Sequence, residues 1–448
     1  MPTLNGDYPN VLFVVKSKVN SIDSTGMSIR NWFHDWPRER LGQIYSSIVC
    51  EESSFVERGF QLGVNERRFG RIFFVLKSSP LNVAAMPYQR SVLSSYGFLN
   101  RLASIVRPVV KKLSFLLINT GLWELLFPPR LSPELKQWIM DFKPDVMFVQ
   151  GCDISFMRLP LLIKKEFNIP ICFDVVDDWV KHLYSETLLA TTMQPIVQKE
   201  FQALMVASDL CYAIGPSMSS EYTQRYGVDF KILMQCADHL RYPVRLPKAS
   251  ESWKEINIVY SGSLGLNRWQ GIMDLSKAAE ILVLKGFNVM INVYAPYVPD
   301  EAQQLRLAFS VRLYDALPDD EMPALLTSAD ILFLPESFDL NFREYIKFSI
   351  STKAHLYMMS GQVSLVYGPA EVGTVDYARK SGWAYVVDQP SSELLSEAVY
   401  SIATDANMRW ALIDAAKTTA MDNHAEKVVR KKLKDDLCRL VVKNMGEI

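Results

Sequence analysis

Residues 256–271 read Ile-Asn-Ile-Val-Tyr-Ser-Gly-Ser-Leu-Gly-Leu-Asn-Arg-Trp-Gln-Gly. The β-branched and aromatic run at the start has the length of a buried strand. It breaks at Gly262 and Gly265, and a helical pattern follows over Ile272 to Leu284. The spacing predicts strand, glycine turn, helix. In an open parallel sheet such a turn lies at the carboxyl edge, where free amides at the helix start and their partial positive charge attract phosphate. Arg268 adds a full charge close by. Two glycines spaced Gly-x-x-Gly also occur in βα units that bind nothing, so the meaning of this turn depends on the rest of the chain.

Outward from it, the alternation continues. On the carboxyl side, strand-type runs at Val289–Val293, Val311–Tyr314, Ile331–Leu334, Val363–Val366 and Ala384–Val387 alternate with helical patterns. On the amino side, Val11–Val15 ends in a loop with Gly26 ahead of a helix from about Ser28. Further runs follow at Ile72–Leu76, Val146–Val149, Ile171–Val176, Leu210–Ile214 and Phe230–Met234. Alternation of this kind predicts parallel sheets covered on both faces, an α/β fold. Pro243, Pro247, Lys248, Ser250 and Ser252 interrupt it. The expected organisation is a Rossmann-like domain over 1–243, a linker over 244–254, a second Rossmann-like domain over 255–420, and a charge-rich C-terminal helix over 421–448. At 448 residues the chain has room for two or three domains. Two such domains face to face enclose a cleft whose walls are two carboxyl edges, a natural place for a donor and an acceptor.

Bulk properties exclude several classes. With 48 basic and 49 acidic residues there is no global attraction to nucleic acid. The six cysteines are scattered, with no Cys-x-x-Cys pair, and read as reduced core residues of a cytosolic protein. The amino terminus lacks the basic and apolar regions of a secretory signal. The longest apolar stretch, Leu113–Phe127, contains Asn119 and Glu124 and falls short of the roughly 18–20 residues of a spanning helix. Charge is nevertheless uneven. Between Arg67 and Trp123 there is no Asp or Glu, while Arg101, Arg107, Lys111 and Lys112 fall inside that window. A helix over Val109–Phe127, basic at its start and apolar after, suits an anionic membrane surface or an amphipathic acceptor. A core helix with a solvated basic end has the same pattern.

Asp177 and Asp178 follow the run Ile171–Val176, placing carboxylates at a carboxyl edge. There they serve either as acceptors for a sugar hydroxyl or as helix caps. His182, one turn on, reads as a surface or packing residue.

These segments resemble, in order, retaining nucleotide-sugar glycosyltransferases of the GT-B fold, family 4 type. The resemblance rests on Trp36 to Tyr45, on Ala207 to Met218, on the opening glycine turn, on Ala329-Asp330-Ile331-Leu332-Phe333-Leu334-Pro335, and on Ser351-Thr352-Lys353 followed by Tyr357 and Gly361. It implies two facing Rossmann-like domains, with the nucleoside diphosphate sugar on the second and the acceptor on the first. Carried over by position, Gly262, Ser263 and Gly265 form a backbone cradle for the diphosphate, with Arg268 and Lys353 as its cations. Glu336, Ser351 and Thr352 line the same donor site, and Gly26, Asp177 and Asp178 meet the acceptor. Arg268, Lys353 and Asp178 are the expected catalytic residues. Preplaced cations stabilise the charge that builds as a nucleoside diphosphate departs. No metal or cofactor is then expected, in keeping with the lack of any Asp-x-Asp.

The chain departs from the family pattern in places. Where a ribose-binding Glu usually follows the lysine stands Leu356, beside His355, and the arginine usual after the first glycine is Ser263. Glu336 and Glu344 have the family's Glu-x7-Glu spacing, but Glu344 lies too far ahead of Gly361 to align. The leading expectation is a cytoplasmic hexosyltransferase acting on a glycan or lipid-linked acceptor in surface polysaccharide or glycoconjugate synthesis, peripheral on the inner membrane face. Two alternatives are a catalytically silent GT-B module that binds a partner in a glycan assembly complex, and a nucleotide-sugar epimerase.

Overall fold

A computed structural model describes residues 8–20, 24–47, 55–69, 115–243 and 253–446. Among the described residues, thirteen strands form two parallel sheets. The first takes β1 (Val11–Val14), β2 (Leu41–Tyr45), β3 (Arg58–Gln61), β4 (Val146–Val149), β5 (Ile171–Val175), β6 (Leu210–Ala213) and β7 (Phe230–Ile232) in the order β3-β2-β1-β4-β5-β6-β7. The second takes β8 (Glu255–Ser261), β9 (Asn288–Ala295), β10 (Val311–Asp315), β11 (Ile331–Pro335), β12 (Val363–Tyr367) and β13 (Tyr385–Val387) in the order β10-β9-β8-β11-β12-β13. Every residue of β1, β4, β5, β11 and β12 is buried, as continuous apolar runs between two helical layers must be. In each sheet the strand order reverses next to the first strand, between β1 and β4 and between β8 and β11. At such reversals the loops at the carboxyl ends part and leave a crevice.

The structure departs from the sequence reading in several places. β2 and β3 were not expected from their patterning: β2 includes Gly42 and Gln43, and β3 is a partly exposed edge strand. The run Ile72–Leu76 lies outside the described residues. The first helix spans Ser24–Trp32, so Gly26 sits inside its first turn and not in a loop. The stretch expected as one helix over Val109–Phe127 is described from residue 115 and breaks at Gly121, whose φ of +76° ends one helical turn before Leu122–Leu126 starts. Beyond that break Trp123 and Phe127 turn inward, whereas Phe115 and Leu116 remain exposed. The C-terminal helical pattern likewise divides at His424, into Ala406–Asn423 and Glu426–Gly446.

The last helix packs where the sequence gives no sign of it. Val429, Leu433, Leu437, Leu440 and Val441 belong to the core beneath the first sheet, although they follow the whole second sheet in the chain. The polypeptide therefore crosses between the domains twice. The crossings are bonded to one another: Ala237 N donates to His424 O at 3.0 Å and Glu426 N to Ala237 O at 3.3 Å. His424 sits between them, its Nδ1 2.7 Å from Gln235 O and its Nε2 3.0 Å from the Tyr377 hydroxyl. Cys152, Cys172, Cys211, Cys236 and Cys438 are all free thiols.

Candidate active site

A cleft of about 1180 Å³ separates the two carboxyl edges. Its second-domain wall begins at the end of β8. Gly262 takes φ of +143°, and a Cβ there would stand 1.9 Å from Lys353 Cε, so only glycine leaves room for that side chain. The helix that follows spans Arg268–Leu284, starting four residues before the apolar pattern does. Arg268 is thus its first residue, a cation at the end of the helix whose partial charge is already positive. Glu336, directly after β11, offsets this. Its Oε2 accepts from Arg268 Nε at 3.2 Å and Nη2 at 3.1 Å, and its Oε1 accepts from the Thr374 hydroxyl at 3.0 Å. β11 and β12 in register place it there, since Glu336 N donates to Tyr367 O at 2.7 Å.

Lys353 also lies within the field of Glu336. Burial first, and the Arg268 charge second, push its ammonium down to about 7, with Glu336 opposing. The site thus gathers two basic side chains at one carboxyl edge, where Glu336 and, from across the cleft, Asp177 act on Arg268 and an added anion would relieve the repulsion between Arg268 and Lys353. Ser351 and Thr352 line the cleft beside it. Ser351 N is tied to the Thr374 hydroxyl at 2.9 Å, which joins the lysine loop to the bonding of Glu336.

The backbone cradle expected of Gly262, Ser263 and Gly265 is largely used up within the protein. Gly262 N donates to Tyr294 O at 2.9 Å, and Gly265 N to Ser263 Oγ at 3.1 Å. Gly262 and Ser263 line the cleft, whereas Gly265 does not. In this wall the positive charge comes from side chains more than from amides.

On the first-domain wall the two adjacent acids part company. Asp177 lines the cleft. Its Oδ1 accepts from Ser349 Oγ at 2.7 Å and its Oδ2 from the Tyr345 hydroxyl at 3.2 Å, so residues of the second domain hold it. Burial raises its pKa, while these bonds and the Arg268 charge across the cleft lower it. Asp178 points the other way, which corrects its assignment to the acceptor and to catalysis. It is fully buried, with Tyr222 OH at 2.9 Å and Arg225 Nη1 at 3.1 Å, an ion pair of the first core. Gly26 is also off the cleft lining. A Cβ there would lie 2.5 Å from Asn20 O, so this glycine serves a close backbone approach. Glu344 lies outside the cleft, weakly paired with Lys181 and Lys347 at 3.9 Å each. His182 packs edge-on against Tyr345.

Sequence reasoning missed the Arg268–Glu336 pair and Gln150, which lines the cleft at the end of β4. Gln150 Nε2 donates at 2.7 Å to Asp174, a carboxyl that burial raises to about 7. The position of Gln150 at a strand's carboxyl edge was the available signal. His355 also lines the cleft. Burial and, next, the neighbouring His424 hold it neutral, pushed down to about 3.

Solved structures share this fold over nearly the whole chain. Sucrose-phosphate synthase from Thermosynechococcus elongatus matches with a TM-score of 0.61 at 12% identity, covering 97% of this chain and 99% of that one. The architecture is GT-B. HepE of Anabaena in complex with UDP shares the GT-B layout at a TM-score of 0.59 and 11% identity, covering 96% and 100% of the two chains. WaaG, a glycosyltransferase involved in lipopolysaccharide biosynthesis, matches at 0.55 and 13%, covering 95% and 99%. No protein-family model and no curated protein matches this GT-B chain.

Proposed function

We propose that this protein is a glycosyltransferase that moves a hexose from a nucleoside diphosphate sugar to an acceptor hydroxyl. The observation that carries the reading is the gathering of two basic side chains, Arg268 and Lys353, beside Glu336 at the carboxyl edge of the second sheet, where their mutual repulsion calls for an anion. A diphosphate meets that demand. The GT-B structures it resembles include HepE with UDP and with UDP-glucose, which supports a nucleotide-sugar donor here.

In this reading the bond from the anomeric carbon to the diphosphate oxygen breaks, and its electron pair leaves with the diphosphate. Arg268 and Lys353 stabilise that charge as it develops, without a metal. The acceptor oxygen bonds to the anomeric carbon, steered by a hydrogen bond to Asp177, and its proton passes to the departing diphosphate. No side chain acts as a dedicated base, and the configuration is retained. The acceptor is a glycan or a lipid-linked glycan of surface polysaccharide or glycoconjugate synthesis, met at the cytoplasmic membrane face.

Calorimetric titration with UDP, GDP, CDP and ADP, without added metal, tests this. One nucleotide is expected to bind selectively, and Lys353→Met to weaken it at least tenfold while the melting temperature holds. Binding of none of the four would remove the donor reading and leave a silent GT-B module that binds a protein partner.

A further inference from the structure

Two glutamine amides line the cleft from the first domain, and the function proposed above uses neither. Gln150 follows β4 where the strand order reverses beside β1, and Gln235 lies beyond β7 on the crossing to the second domain. Both are largely buried, at 2% and 7% exposure. Each has its amide nitrogen committed inside the protein. Gln235 Nε2 lies 2.7 Å from Ser28 Oγ, and Ser28 Oγ lies 2.6 Å from Ser24 O, one turn back in the first helix. A carbonyl only accepts, so the Ser28 hydroxyl gives its hydrogen to Ser24 and has only a lone pair for Gln235. That fixes the amide with Nε2 inward and Oε1 outward. Gln150 Nε2 donates at 2.7 Å to Asp174 Oδ2, and an ionised carboxylate, which only accepts, sets the same direction. Neither Oε1 has a hydrogen-bond partner among the described residues and neither is sealed from solvent, so both open on the cleft.

Carbonyl oxygens held in this way repel oxyanions and take hydroxyl hydrogens. Because each amide is already anchored, a ligand meets it at little entropic cost. Asp177 adds a carboxylate to the same wall, and Arg430 there is answered by Asp35 at 3.1 Å and Glu426 at 2.9 Å. A neutral ligand with hydroxyls at fixed positions, a sugar ring, suits this wall.

We propose that Gln150 and Gln235 select the acceptor sugar, their Oε1 atoms accepting hydrogen bonds from two of its ring hydroxyls and so admitting one configuration over its epimers. This rests on the donor reading above only for the word acceptor. The hydroxyl-reading site itself stands on the glutamines. Ser28 is a positioning residue that acts through the Gln235 amide.

Saturation-transfer NMR titration of the full chain with glucose, galactose and mannose tests this, since galactose differs from glucose only at C4 and mannose only at C2. The titration is run at about pH 8, above the value near 7 at which Asp174 ionises. At least one hexose should bind, and bind about fivefold or more tighter than one of its epimers. Gln235→Met and Gln150→Met should each weaken the favoured hexose about tenfold, the scale of one hydrogen bond, and shrink that gap while the melting temperature holds. Ser28→Ala frees the Gln235 amide to turn and should also shrink the gap, whereas Ser28→Thr should keep it. Lys353→Met should weaken UDP and leave the gap in place. The proposal is overturned if no hexose binds, if the three bind alike, if the gap survives both glutamine variants, or if it vanishes in Lys353→Met, which would put the sugar in the donor pocket. Hexose binding that depends on the glutamines, with UDP binding to no form, would sink the donor reading and leave this one standing.

Discussion

A lysine ammonium that is buried, and then set beside an arginine, loses its proton more easily than in water, and Lys353 is pushed down from 10.5 to about 7 with Glu336 opposing. Between those values the unfolded chain holds more protons at this position than the folded one. The stability contributed by this group therefore rises with pH from about 7 to 10.5, and the cost of the buried charge is fully present below 7. A bound diphosphate reverses the shift. At pH 8 the free protein holds Lys353 mostly neutral and the complex holds it charged, so UDP binding should take up roughly one proton and weaken as pH rises further. Titration in buffers of different ionisation enthalpy reads that proton directly. Uptake that persists in Lys353→Met would assign it to another group. Arg268→Ala is a poorer probe, because it strands buried Glu336 at a cost of about 3–5 kcal/mol and confounds binding with folding.

At the scale of elements, the turn after β8 and the last helix were read with unequal success. The strand and its glycine break are local features, visible in apolar runs and in the residue that tolerates positive φ. Even so, the helix begins at Arg268 and not at Ile272, because Arg268 faces the cleft and the regular apolar repeat starts only after Gly271. The C-terminal helix shows its helicity in the sequence but not its destination. Its apolar residues Leu433 and Leu437 are fully buried in the first core. Leu433→Ala should cost about 2–5 kcal/mol. Hydrogen exchange should show the loss in strands β1 to β7, with β8 to β13 unchanged. Lost protection confined to the second sheet would contradict the packing.

For the whole molecule, two carboxyl edges face one cleft, and the chain crosses between the domains at 233–243 and at 424–425, tied by His424. The surface outside the cleft bears on where it works. Arg101, Arg107, Lys111 and Lys112 lie outside the described residues, but the chain that follows them exposes Phe115, Leu116 and Ile118. No helix among the described residues is long and apolar enough to cross a membrane. The expected peripheral contact with anionic lipid rests on that basic sequence leading into exposed aromatic and aliphatic side chains. Lys111→Glu/Lys112→Glu should reduce co-sedimentation with vesicles rich in phosphatidylglycerol at least tenfold, given ~1 kcal/mol per basic residue near the surface and the reversal of both charges. Undiminished binding would remove the membrane from the account.

What the sequence by itself determined is the α/β class, the two-sheet plan and the glycine turn, while the placing of Arg268 and Lys353 at one site was what the family resemblance implied. The first three follow from short-range rules, since a strand needs an apolar run and a turn needs a residue free to take it. What only the tertiary structure decided is which charges meet. Asp177 and Asp178 are neighbours with the same local pattern, yet one faces the cleft under Ser349 and Tyr345 while the other is sealed beneath Arg225. Arg268 finds Glu336 and Arg38 finds Phe55 across gaps that no periodicity spans. Charge pairing is settled by the strand order and by the packing of edges far apart in the chain, and neither is written in the spacing of residues along it.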